Sequence, residues 1–185
     1  MRIIVGVTGG SCAIYGVGLL KVLQQLNIET HLVVSKMGEY VVNHECGMNL
    51  DELKSLATVY HDNNDLAAAI ASGSFKTDGM IIIPCSMRTL AAVAHGMSDN
   101  LLTRAADVVL KEGRRLVIVP RETPLSVIHL ENMLKLARMG VKILPAAPGF
   151  YHLPESIEEI VSIMVGRALD QLDIENNLFK RWGEK

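Results

Sequence analysis

Thr8-Gly9-Gly10-Ser11 closes a continuous apolar run, residues 3–7, and opens a stretch with apolar residues at helical spacing, residues 13–26. The backbone N–H groups and hydroxyls of such a strand-to-helix turn can cradle a phosphate. Ser11 can equally be a plain helix cap. The turn does not have Gly-x-Gly-x-x-Gly spacing, since Gly6, Gly9 and Gly10 do not match it, and it has no P-loop lysine. Further turns of this kind follow other apolar runs: Ser35-Lys36, Pro84-Cys85-Ser86-Met87-Arg88-Thr89, Pro120-Arg121-Glu122-Thr123-Pro124 and residues 145–152. Small hydroxyls and arginines recurring at such positions suit an anionic ligand, which a guanidinium can grip bidentately.

Other residue types are chemically suggestive one by one. Arg121-Glu122 is held between two prolines, so the pair is less easily explained as a solvated surface charge. Arg121 can hold a phosphate, and Glu122 is either an acid or the partner of Arg121. Arg104 and Lys111 stand seven apart and share one helix face, either an ordinary cationic side or a second phosphate site. Glu45 ends an apolar helix beside Cys46 and Gly47, as a surface carboxylate or as a proton donor pressed against a ligand. Cys85 lies in an apolar setting with no assignable His partner and reads as packing. The six histidines, His31, His44, His61, His95, His129 and His152, show no metal-ligand spacing, so no metal is expected.

The elements that must position these residues are short buried strands alternating with helices. Strands are expected at 3–7, 30–34, 79–83, 115–119 and 141–144, and helices at 13–26, 36–46, 100–112, 127–139 and 156–172. Unbroken apolar strands are buried on both faces, as in a parallel sheet covered by helices. The fold class is therefore α/β, a three-layer, doubly wound, Rossmann-like or flavodoxin-like parallel sheet. Ligands of such sheets bind beyond the carboxyl ends of the strands, where all the turns named above lie.

Composition bounds the rest. A chain of 185 residues without repeats or linkers reads as one domain spanning 1–185. A formal net charge of -2 argues against nucleic acid as a partner. No run approaches the roughly 20 apolar residues of a membrane span. Three cysteines without CxxC spacing suit a reducing compartment, and a cytoplasmic location is expected.

Two long runs go beyond a generic fold. Val119-Pro-Arg-Glu-Thr-Pro-Leu-Ser-Val-Ile-His-Leu-Glu-Asn-Met-Leu-Lys-Leu136 and Leu144-Pro-Ala-Ala-Pro-Gly-Phe-Tyr-His152 resemble signatures of the UbiX/Pad1 flavin prenyltransferase family. Leu102-Thr-Arg-Ala-Ala-Asp-Val-Val-Leu-Lys-Glu112 and the tail Arg181-Trp-Gly-Glu184 are similar to that family as well, so the resemblance covers essentially the whole chain.

The resemblance implies an enzyme that joins the dimethylallyl group of dimethylallyl phosphate to N5 and C6 of reduced FMN, without a metal. The product would be prenylated FMN for a UbiD-type decarboxylase, and the enzyme a homo-oligomer, a dodecamer, in which neighbouring subunits can share a site. By position, Gly9, Gly10, Ser11, Ser35, Ser86, Met87, Arg88, Thr89 and Arg121 would contact FMN. Tyr151 and Arg167, helped by Arg104 and Lys111, would hold dimethylallyl phosphate. Glu122 would assist phosphate departure, and Ser11 with Glu45 would manage the N5 proton. Relatives often have Gly where this chain has Cys12, and some carry a Trp near Leu66. Two other functions share the flavin-binding expectation: direct flavin-dependent decarboxylation of an acid, and non-catalytic carriage of FMN. The first normally uses an Asn-containing turn, which Ser86-Met87-Arg88-Thr89 does not supply.

Overall fold

The computed structural model describes residues 1–183, so Glu184 of the tail motif lies outside the described residues. In chain order the elements are β1 (Arg2–Val7), α1 (Ala13–Gln25), β2 (Glu29–Val34), α2 (Lys36–Cys46), α3 (Leu50–Lys54), β3 (Val59–His61), β4 (Gly79–Cys85), α4 (Met87–Ala94), α5 (Leu101–Lys111), β5 (Arg115–Pro120), α6 (Val127–Arg138), β6 (Lys142–Ile143) and α7 (Ile157–Asp170). A short 3₁₀ turn, Ala69–Ala71, lies between β3 and β4.

The strands form one six-stranded sheet in the order β3-β2-β1-β4-β5-β6, and every neighbouring pair is parallel. This is the Rossmann order rather than the flavodoxin order. It places the topological switch point between β1 and β4, where the chain winds outward in opposite directions.

Alternation along the strands divides the core into two layers. Ile3, Val5, Val7, Ile81 and Ile83 face α1 and α7, while Ile4, Met80 and Ile82 face α4 and α5. Ile81 and Ile82 are both fully buried, and each contributes about 1.5–3 kcal/mol of apolar burial. The continuous apolar strands are thus explained by helices on both faces, as the three-layer expectation requires.

Gly38, an oddity inside an otherwise good helix, has a packing reason. A Cβ there would stand 2.5 Å from the Val7 carbonyl oxygen, so glycine lets α2 lie against the end of β1. The strand expected at 141–144 is reduced to two residues on the sheet edge, because only β5 is available to pair with it. Val59–His61 and Met87–Ala94 form a strand and a helix that the apolar pattern did not announce.

Candidate active site

The site is built at the switch point. Thr8 is buried, and its Oγ1 donates to the Pro84 carbonyl at 2.9 Å and accepts from the Ser86 N–H at 2.8 Å. One hydroxyl thereby fastens the end of β1 to the turn that follows β4. Ser35 caps α2 by accepting from the Gly38 N–H at 3.0 Å, and Ser86 caps α4 by accepting from the Thr89 N–H at 3.3 Å. The first N–H groups of each helix, at Lys36 and Met37 and at Met87 and Arg88, have no intrahelical acceptor. Two positive helix ends therefore converge beside the glycine turn.

Between them lies a cleft of about 730 Å³, in the size range of small-molecule and cofactor sites. Gly9, Ser35, Ser86, Arg88 and Thr89 line it, as expected from the sequence, together with Lys36, Met37, Asn63, Asn100 and Thr103. Gly9 must be glycine here, since a Cβ would stand 2.6 Å from the Met37 Cβ. At Gly10 a Cβ would make only ordinary contacts with the protein, the nearest at 3.4 Å to Pro84. Gly10, Ser11, Met87 and Arg121 flank the cleft without lining it. Helix N-termini, hydroxyls and the Arg88 guanidinium fit the phosphate and ribityl groups of a flavin nucleotide.

Ser11 and Glu45, residues 34 apart, meet. Ser11 Oγ donates to Glu45 Oε1 at 2.6 Å, and the Ala13 N–H donates to Glu45 Oε2 at 2.9 Å. Glu45 sits one residue from the end of α2, yet it caps α1. The residue in the cap position of α1, Cys12, makes no side-chain cap bond and has left-handed backbone, φ 74°. Glycine adopts that conformation freely, whereas a side chain costs roughly 1–2 kcal/mol. The carboxylate of Glu45 offsets part of this by lying at the positive end of α1.

The remaining expected residues fall into two groups. At the end of β5 the Arg121 N–H donates to the Cys85 carbonyl at 3.3 Å, which holds this turn against that of β4. Glu122 is exposed and accepts from the Thr123 N–H at 2.9 Å; it makes no ion pair with Arg121. Tyr151 and Arg167 line one smaller pocket of about 280 Å³ with Pro148 and Gly149. Arg104 and Lys111 are not gathered with these groups in their own chain. Helix α5 runs back against the strand direction, with its first residues at the cleft and Lys111 just before β5 begins, at the opposite end of the strands. Seven residues separate the two cations by about 10 Å of helix. Arg104 is held by the Ala71 carbonyl at 3.2 Å and by Asp107 at 2.9 Å, and Lys111 pairs with Glu112.

Sequence reasoning missed Asn63, and it read Thr8 only as part of the phosphate turn, not as the clasp that joins β1 to the turn after β4. Asn63 Oδ1 accepts from the Leu102 N–H at 3.0 Å, and its carbonyl accepts from the Leu101 N–H at 2.8 Å, so it seals the N-terminus of α5 at the cleft wall. Only the short strand β3 places it there, and no local pattern reveals that strand. Leu66 is exposed on the surface. Cys85 is fully buried and burial pushes its thiol well up, which makes it the inert packing residue expected. Among the described residues no helix is long and apolar enough to cross a membrane.

Comparison with known proteins agrees with this geometry. The family model for flavoproteins matches residues 1–169. A probable UbiX-like flavin prenyltransferase of Bacillus subtilis (strain 168) is 54% identical, over 98% of this chain and 89% of that protein. The crystal structure of a dodecameric FMN-dependent UbiX-like decarboxylase from Escherichia coli O157:H7 superposes with a TM-score of 0.97 at 52% identity, covering 98% of this chain and 99% of that one. The crystal structure of AnUbiX (PadA1) in complex with FMN and dimethylallyl pyrophosphate also gives 0.97, at 48% identity, over 100% and 98% of the two chains. A Rossmann-ordered sheet with a cleft lined by two helix N-termini at its switch point, matched at this identity over nearly full length, places the chain in the flavoprotein family, among the UbiX-like flavin prenyltransferases.

Proposed function

We propose that this chain transfers the dimethylallyl group of dimethylallyl phosphate to N5 and C6 of reduced FMN. The observation that carries the reading is the Ser11–Glu45 hydrogen bond of 2.6 Å at the lip of a cleft lined by two helix N-termini. A simple FMN carrier needs the cleft and can use Glu45 as the cap of α1, but has no use for the Ser11 hydroxyl held against that carboxylate.

Reduced FMN, when bound, supplies the nucleophilic N5 and C6. Gly9, Ser35, Ser86, Met87, Arg88 and Thr89 hold its phosphate and ribityl chain through backbone N–H groups, hydroxyls and one guanidinium, with Gly10 and Arg121 at the flanks. Ser11 relays the proton at N5 to Glu45. Tyr151 and Arg167 bind the phosphate of the second substrate, and Glu122, which makes no ion pair among the described residues, hands a proton to the leaving phosphate. Positive and hydroxyl groups preorganised around a departing phosphate stabilise the charge that develops there.

Arg104 and Lys111, neither of which lines the cleft of its own chain, would serve a site in a neighbouring subunit. Exposed apolar side chains support such an assembly. On α6, Val127, Ile128, Leu130 and Leu134 are between 51% and 69% exposed, although a soluble monomer rarely leaves a contiguous apolar face open. A dodecamer like that of the E. coli relative would cover it. The chain would act as a single flavin-binding domain in the cytoplasm, where its three unpaired cysteines stay reduced, and its product would pass to a UbiD-type decarboxylase.

The test is anaerobic incubation of the purified protein with reduced FMN and dimethylallyl phosphate, followed by mass spectrometry of the flavin. A gain of one dimethylallyl unit supports the reading. Carbon dioxide release from an aromatic acid by this chain alone, with the flavin mass unchanged, would replace it with direct decarboxylation.

A further inference from the structure

After α7 the chain does not leave the fold but turns back along the last turns of that helix. Asn176 Nδ2 donates to the Asp170 carboxylate at 3.1 Å, and the Phe179 ring packs over Gly166, where a Cβ would stand 2.6 Å from the ring. Arg181 then grips Asp170 with both arms of its guanidinium, at 3.0 Å to Oδ2 and 2.8 Å to Oδ1. The adjacent Trp182 sets its ring edge-on to that of Tyr151, with centroids 5.5 Å apart and planes at 88°.

Asp170 is therefore shared. Arg167 Nη1, from the preceding helical turn, donates to the same Oδ2 at 3.1 Å. Two guanidinium groups thus share one largely buried carboxylate. The carboxyl of Asp170 is held below the usual carboxylate range, chiefly by Arg181. Without Arg181, Asp170 would pair with Arg167 alone and cancel its charge at the pocket that Tyr151 also lines. Both side chains assigned to the prenyl phosphate are thus touched by the tail, one through Asp170 and one through Trp182.

We infer that the tail, residues 175–183, is a positioning element for the phosphate of the prenyl donor, in which Arg181 occupies Asp170 so that Arg167 keeps its charge for the ligand, and Trp182 props Tyr151. Arg181 and Asp170 are positioning residues and do not touch substrate. This inference rests on the proposed assignment of Tyr151 and Arg167 to the donor phosphate.

The test compares full-length Arg181→Gln, Arg181→Lys and Arg167→Gln variants. The readouts are KM and kcat for dimethylallyl phosphate, competitive inhibition by inorganic phosphate, FMN affinity from flavin fluorescence, and Tm. Arg181→Gln should raise both the KM and the phosphate inhibition constant about fivefold to tenfold, the size of one weakened charge-assisted contact. Its kcat, FMN affinity and Tm should stay near those of the parent protein. Arg181→Lys, which keeps the charge but not the fork, should recover part of the loss. If Arg167→Gln raises KM while Arg181→Gln does not, the tail has no positioning role. If Arg181→Gln loses FMN affinity or melts early, its role is structural and the inference is overturned. An unchanged KM in Arg167→Gln would remove the phosphate assignment itself.

Discussion

Glu45 has two jobs in this account, and two substitutions separate them. Its carboxylate caps α1 by accepting from the Ala13 N–H at 2.9 Å, and it receives the Ser11 hydroxyl at 2.6 Å. Glu45→Ala removes both acceptors at a helix end that Cys12 does not cap. Losing a cap costs typically about 0.5–2 kcal/mol; two bonds to one carboxylate favour the upper half of that range, while the exposure of Glu45 lets water replace part of the loss. A destabilisation of about 1–2 kcal/mol lowers the Tm of a chain of this size by about 2–8 °C. Glu45→Gln keeps an oxygen for Ala13 and an amide that can donate to Ser11, so its stability should change by less than about 0.5 kcal/mol. Prenyl transfer should nevertheless fall about 10²-fold or more, because the amide cannot accept a proton. Urea unfolding and anaerobic flavin mass spectrometry measure the two effects in the same preparations. Full activity in Glu45→Gln would refute the proton role, and an unchanged urea midpoint in Glu45→Ala would refute the cap.

Cys12→Gly should stabilise the protein by about 0.5–1 kcal/mol, the left-handed strain relieved less the entropy that glycine adds to the unfolded chain; a lower urea midpoint would mean that packing of the Cys12 side chain against the core outweighs the strain. Ile128→Glu should weaken self-association, and light scattering on eluted fractions should show smaller species, whereas an unchanged mass would clear α6 of any role in assembly. Stability should also fall on mild acidification, because His31 Nδ1 and His61 Nε2 are 2.8 Å apart beside Glu29, with Arg2 and Asp65 nearby. Burial and His31 hold the His61 pKa below its ordinary value, so the unfolded chain binds more protons near pH 6, and this contribution is complete above about pH 6.5 and lost as pH falls toward the folded value. His61→Gln should flatten the dependence of the urea midpoint on pH between 7.5 and 5; an identical slope would acquit the pair.

The rim of the sheet was legible in the sequence because a buried parallel strand is a continuous apolar run, and the residues that break it are the ligand-facing turn. Thr8 to Ser11, Ser35 and Ser86 to Thr89 were found this way, and the structure brings them to one end of the sheet. Strand order was not legible, since short apolar runs carry no information about which neighbour they pair with. Three-residue β3 and the helix after Ser86 were missed for a related reason: one is too short for a periodic signal, and the other begins in a turn rich in polar groups. The meeting of Ser11 with Glu45 came from family resemblance, and no local pattern predicts a contact across 34 residues. Arg104 and Lys111 show the limit of face-sharing arguments. They do lie on one helix face, but a helix antiparallel to its strands starts beside the cleft near Arg104 and carries Lys111 away from the rim.

The central claim is that this chain remakes FMN rather than merely holding it. Mass spectrometry of flavin recovered after anaerobic incubation of the parent protein with reduced FMN and dimethylallyl phosphate tests it most directly. The account predicts a flavin heavier by one dimethylallyl unit, together with released inorganic phosphate. Flavin of unchanged mass, from protein that binds FMN and was supplied with both substrates, would contradict it.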